Sequence, residues 1–127
     1  MKYLIDTHVF LWATTEPEKL PKRVESLIKD PGSDILVSVV VPWELAIKTN
    51  SGKLPGAALL RDFEQRVLRL RFLMEGIQTA QAIRSGLLPF HHRDPFDRLL
   101  AAQSLEMNIP LLSRDAVFDR YGVHRIW

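Results

Sequence analysis

The chain contains no cysteine, which excludes disulfides, thiolate metal sites and cysteine nucleophiles together. Neither sign of charge dominates. Seventeen basic residues face 15 acidic ones for a net charge of +2, too little by itself to argue for a polyanionic partner. Long apolar runs are missing too: Met1-Lys2-Tyr3-Leu4-Ile5-Asp6 reaches an acid at once, and no later stretch has the length of a secretory h-region or a membrane span. The reading is therefore a cytoplasmic protein with no membrane association. What remains is an ordinary globular composition, 46% hydrophobic and 25% charged, expected to form one domain over residues 1–127 with a core that needs no covalent staples.

The pattern of apolar segments predicts alternating strands and helices. Tyr3-Leu4-Ile5 reads as a strand that ends in Asp6-Thr7-His8, after which Val9 to Ala13 resumes with helical spacing. Leu20, Val24, Leu27 and Ile28 mark a second helix stopped by Pro31-Gly32, and Ile35-Leu36-Val37 a second buried strand. Ser38 is a candidate cap for a helix that must begin near residue 40, because Pro42 is tolerated only in a first turn. Beyond the joint at Leu54-Pro55-Gly56, Leu59, Leu60, Phe63, Val67 and Leu70 form one apolar stripe. Phe72 to Met74 is a weak third strand, Thr79 to Ser85 a short helix, and Gly86 to Arg93 a loop. Asp94-Pro95 opens a helix that is apolar on most of its surface and ends at Asn108. Ile109 to Leu112 is a strand, Ala116 to Tyr121 a helical turn, and Val123 to Trp127 an edge strand. Short apolar strands without a polar face indicate a parallel sheet with helices on both sides, an α/β fold.

Such sheets place their ligand sites outside the carboxyl ends of the strands. Asp6, Glu44, Asp97 and Asp115 each fall just after a strand or in the first turn of the helix beyond it. Carboxylates gathered at one edge raise one another's pKa, and a hard divalent cation resolves the conflict. An oxygen-only donor set, with His8, His91, His92 and His124 not spaced as a ligand group, suits one or two Mg²⁺ or Mn²⁺ ions better than zinc. Neutralising four acids in a chain of net +2 leaves +6 on the rest of the surface, a useful field for a polyanion. Each acid also has a plain structural reading, as an N-cap or a favourable first-turn charge. Only their joint occurrence favours a metal centre.

Around these acids, His92 and Arg93 read as substrate contacts near Asp97, and Arg98 as a phosphate contact or an ordinary ion pair. Asp94 reads as a cap and Asp119 as a solvated helix residue that could reach the site. Trp12, Trp43 and Phe96 read as core or oligomer contacts.

These residues resemble a known family. Asp6 after the first strand, Ser38 with Glu44 six residues on, the run Asp94-Pro95-Phe96-Asp97-Arg98-Leu99-Leu100-Ala101-Ala102-Gln103, and Ser113-x-Asp115-x-x-Phe118 are similar to PIN-domain ribonucleases, in particular VapC-type toxins of toxin–antitoxin modules. Trp43 to Lys48 with Gly52-Lys53-Leu54 is similar to one subgroup, although Pro42 stands where that subgroup has a small polar residue. The resemblance implies a three-layer α/β fold, metal binding by Asp6, Glu44, Asp97 and Asp115, and supporting hydroxyls at Thr7 and Ser113. It also implies a homodimer that cleaves RNA and is neutralised by a cognate antitoxin. The expected chemistry is metal-assisted phosphodiester hydrolysis. One rival is a catalytically weak module that binds RNA or protein. Another is an aspartyl phosphatase, which would need a second Asp two residues after Asp6, where His8 stands.

Overall fold

Residues 1–53 and 56–127 are described by a computed structural model; the joint expected at Leu54-Pro55 lies outside them. Five strands, β1 (Lys2–Ile5), β2 (Asp34–Ser38), β3 (Leu73–Glu75), β4 (Leu111–Leu112) and β5 (Arg125–Ile126), form one sheet in the order β3-β2-β1-β4-β5. Every neighbouring pair is parallel, with Ile5 level with Val37 on one side and Leu112 on the other. The chain steps outward from β1 to β3, then returns to lay β4 beside β1. That reversal puts the topological switch between the two strands whose ends carry Asp6 and Ser113.

Side chains alternate across each strand, and the alternation divides the core. Tyr3, Ile5, Ile35, Val37, Leu112 and Ile126 face one layer, which contains α1 (Thr7–Thr15), α2 (Lys22–Lys29) and α5 (Phe63–Arg69). Leu4, Leu36 and Leu111 face the other, built mainly on Phe96, Leu99, Leu100 and Ala101 of α7 (Pro95–Met107), against which α6 (Thr79–Leu87) packs. Both faces of the sheet are thus covered, and each fully buried Leu or Val contributes roughly 1.5–3 kcal/mol by leaving water. This is the parallel sheet between two helical layers expected from the strand pattern.

The helix starts follow the local chemistry. The Asp6 carboxylate caps α1 by accepting from the Val9 amide at 2.9 Å. The Asp94 carboxylate caps α7 by accepting from Phe96 at 2.8 Å and Asp97 at 3.3 Å, with Pro95 in the first turn. The helix α3 begins at Val40 and runs to Asn50, so Pro42 sits in its first turn, and Ser38 Oγ accepts from the Val40 amide at 3.1 Å.

Several boundaries differ from expectation. In the stripe from Leu59 to Leu70, Phe63 and Val67 are buried and Leu59, Leu60 and Leu70 partly so, and it divides into α4 (Ala57–Leu60) and α5, because Asp62 adopts φ 53°, outside the helical region. Helix α6 continues two residues beyond Ser85. Strands β4 and β5 are shorter than the apolar runs around them. Among the described residues, no helix is long and apolar enough to cross a membrane.

Candidate active site

The four acids reach the carboxyl edge of the sheet by three routes. Asp6 directly follows β1, Asp115 lies three residues after the end of β4, and Asp97 stands in the first turn of α7; Glu44 opens the second turn of α3, not the first turn expected, because the helix begins at Val40. Asp6 and Glu44 are deeply buried, 7% and 3% exposed. Ser113 Oγ donates to Asp6 Oδ2 while accepting the Asp115 amide at 3.0 Å, so one hydroxyl ties the ends of β1 and β4 together. Thr7 Oγ1 donates to Glu44 Oε1, and Lys48, one turn farther along α3, pairs with Glu44 Oε2.

Asp97 and Asp115 are more open, with side chains 22% and 47% exposed. His92 lies between them, its Nε2 2.7 Å from Asp97 Oδ2 and 3.7 Å from Asp115 Oδ2. One donor atom from each of His92, Asp97 and Asp115 falls within a sphere of mutual separations no larger than 4.8 Å. Next to them Asp6, His8, Trp12, Arg114, Asp115 and Ala116 line a cleft of about 400 Å³.

The electrostatics follow from this crowding. Burial raises the Asp97 pKa first, and the carboxylates of Asp94, Glu44, Asp6 and Asp115 raise it further, to about 8. Burial also raises that of Asp6, against the hydrogen bonds from Ser113 and the Val9 amide and the nearby His8. Burial opposes the Lys48 charge, but Glu44, with Asp94 and Asp97 farther away, outweighs it and pushes the ammonium pKa up. The site is a carboxylate-rich pocket with one resident ammonium, and it still favours protonation of its most crowded acid.

A divalent cation fits this donor set. Each carboxylate oxygen carries two lone pairs, so the hydrogen bonds on Asp6 and Glu44 leave acceptor capacity. A crowded, partly protonated Asp97 beside Asp115 is the arrangement that an added positive charge relieves. The hydroxyls of Thr7 and Ser113 fix the direction of the buried pair.

Arg98 is not placed as a phosphate contact or a side-chain ion pair. It is 6% exposed, and its guanidinium donates to the carbonyls of Ser85 at 2.9 Å, Leu88 at 2.8 Å and Pro89 at 2.9 Å. It faces away from the acids because α7 presents consecutive residues about 100° apart. Arg93 is exposed beside His92. Asp119 pairs with Arg125 at 2.9 and 3.0 Å, outside the acid cluster, which holds its pKa down. Trp43 stacks edge-on to Phe96 at 4.8 Å, and Trp12 lies 5.7 Å from Trp127 while also lining the cleft. Sequence reasoning missed two members of the site region. The i, i+4 spacing of Glu44 and Lys48 was a usable signal for their pairing. Nothing local marks Tyr121, whose hydroxyl accepts from the His92 amide at 2.8 Å.

Comparison with known proteins places this geometry in context. The family model described as PIN domain matches residues 3–123. Among solved structures, VapBC2 from Rickettsia felis bound to a DNA fragment from its promoter superposes with a TM-score of 0.72 at 18% identity, covering 99% of this chain and 98% of that one. VapBC-1 from nontypeable Haemophilus influenzae gives 0.67 at 18% identity, covering 99% and 97%. A toxin–antitoxin complex from Klebsiella pneumoniae gives 0.65 at 15% identity, covering 98% and 96%. At these identities the superpositions speak for the fold. A search of curated proteins finds no match.

Proposed function

The chain belongs to the PIN-domain family, and from that premise we propose that it is a metal-dependent endoribonuclease acting as the toxin of a toxin–antitoxin pair. The observation that carries this reading is the convergence of Asp6, Glu44, Asp97 and Asp115 on one sheet edge, crowded enough to raise Asp97 to about 8. Three of the neighbouring solved structures are described as a toxin–antitoxin complex or as VapBC pairs. They support an antitoxin protein as partner; RNA as substrate, a cytoplasmic setting and a homodimer belong to the proposal through the family resemblance alone.

Asp97 and Asp115, with the remaining lone pairs of Asp6 and Glu44, would hold one or two Mg²⁺ or Mn²⁺ ions. When bound, the cation supplies a Lewis acid for the scissile phosphate and acidifies a water. The chain's own residues do the rest. Ser113 and Thr7 keep the buried carboxylates aimed at the edge, which spares reorganisation during the reaction. In the metal-free chain Asp97 retains a proton near neutral pH, and that proton competes with the cation for the site. Arg93 and Arg114, exposed beside His92 and Asp115, are placed to meet flanking phosphates. Water as nucleophile leaves a 5′-phosphate and a 3′-hydroxyl.

The test is cleavage of total cellular RNA by the purified protein with Mg²⁺, Mn²⁺ or EDTA, beside Asp97→Asn prepared identically. Metal-dependent cuts with 5′-phosphate ends, absent from the variant, are expected. The alternative is a catalytically weak module that binds RNA or protein, and it draws on the engagement of both Glu44 oxygens by Thr7 and Lys48. RNA binding without metal-dependent cleavage would favour it.

A further inference from the structure

Arg98 is a buried cation held by backbone carbonyls. Besides Ser85, Leu88 and Pro89, its guanidinium makes longer contacts with the carbonyls of Gly86 at 3.5 Å and His92 at 3.4 Å, and it lies 4.6 Å from the centre of the Phe90 ring. A buried guanidinium is tolerated only when its donors are filled, and these are filled by one continuous segment, the last turn of α6 and the loop that follows it. Tyr121 anchors the loop part of that segment as well, sharing the Pro89 carbonyl with Arg98. Its hydroxyl accepts from the His92 amide at 2.8 Å and donates to the Pro89 carbonyl at 2.9 Å.

What this twice-anchored loop presents is the His92 ring. Its Nδ1 accepts the Asp94 amide at 3.2 Å, so the ring proton of the neutral imidazole sits on Nε2, facing Asp97 Oδ2. The only ring lone pair is already engaged, which leaves none for a cation. His92 therefore acts through the carboxylate beside it.

We propose that His92 is a positioning residue that fixes Asp97 for cation binding through its Nε2–H, and that Arg98 and Tyr121 are the clamp that sets His92 in place. The proposal rests on the reading of Asp97 and Asp115 as cation ligands. A donor on Oδ2 restricts the carboxylate's rotation, while the lone pairs of Oδ1 stay available to a cation. Loss of such an outer hydrogen bond typically weakens metal affinity about 10- to 100-fold.

The experiment is a Mn²⁺ titration of the intact protein followed by electron paramagnetic resonance, which reads free ion without any RNA. His92→Ala is expected to weaken Mn²⁺ binding about 10- to 100-fold. His92→Gln, whose amide nitrogen reaches the Nε2 position, is expected to restore most of the affinity. Tyr121→Phe should weaken binding in the native background and add nothing on top of His92→Ala, a coupling that general loosening of the fold does not produce. Long-range ¹⁵N spectra of the metal-free native protein should show the Nε2-protonated ring; the other tautomer overturns the proposal. Undiminished Mn²⁺ binding in His92→Ala, with binding lost in Asp97→Asn, overturns it and leaves the nuclease reading standing. Absence of Mn²⁺ binding by the native protein overturns both.

Discussion

Asp6 and Glu44 on one side, and Asp97 and Asp115 on the other, stand at the same edge of the sheet in opposite surroundings. The first pair is almost sealed, and every carboxylate oxygen in it meets a donor: the Val9 amide, Ser113, Thr7 or Lys48. The second pair is partly open, and the donor between its members is His92. Asp115 also caps the turn after it, accepting from the Val117 amide at 3.0 Å. Among the described residues no backbone amide donates to the Asp97 carboxylate, which has the nearest carboxylates working against its charge and is raised to about 8. One pair holds the edge together, while the other keeps it short of positive charge. A cation site needs both, because ligands that were all neutralised in advance would bind nothing and ligands that were all strained would not stay in place.

Substitutions can break this contrast, and the largest effect is on chemistry. Asp97→Asn and Asp6→Asn should each lower the RNA cleavage rate at least about 10³-fold, equivalent to several kcal/mol of transition-state stabilisation, measured as initial rates at saturating Mg²⁺. Stability should separate the pairs by sign. Asp6→Ala removes the α1 cap and leaves the buried Ser113 hydroxyl without its partner, so it should destabilise the chain by about 1–2 kcal/mol in urea unfolding. Asp97→Asn should instead stabilise the metal-free protein by about 1–3 kcal/mol at pH 8, by removing a desolvated charge.

The second effect carries a pH signature. Asp97 is protonated in the folded chain up to about 8 but ionises near its ordinary 3.8 when unfolded. Across that window the folded state binds the extra proton, so the Asp97 contribution falls as pH rises and levels off above 8. The advantage of Asp97→Asn should therefore be absent near pH 4 and complete near pH 8. Smaller again is Thr7→Val, expected to cost about 1 kcal/mol through the lost bond to Glu44. Smallest is Arg93→Gln, expected to weaken RNA binding modestly and reduce the salt slope by roughly one counterion.

Much of this arrangement is legible along the chain. Asp94-Pro95 announces α7, Pro42 fixes the start of α3, and the short apolar runs carry no polar face, so the parallel sheet and the edge that receives the acids can be read directly. Placement along elements is a local property, and periodicity reports it. The break at Asp62 is not legible, because a left-handed residue does not change which positions of the stripe are buried. The role of Arg98 is hidden for a different reason. Its partners are main-chain carbonyls six to thirteen residues earlier, and carbonyls carry no sequence signal. Tyr121 reaches the His92 loop across 29 residues, a contact set by tertiary packing alone.

The central claim is that the open pair is an electrostatically strained receiver for a cation. The most direct measurement is the melting temperature of native protein and Asp97→Asn at pH 8, each with and without Mn²⁺. The account predicts that the variant melts higher without the ion, and that a concentration of about 100 times the dissociation constant stabilises only the native protein, by about 2.7 kcal/mol. A variant that melts lower in both conditions, with no Mn²⁺ effect on the native chain, would contradict it.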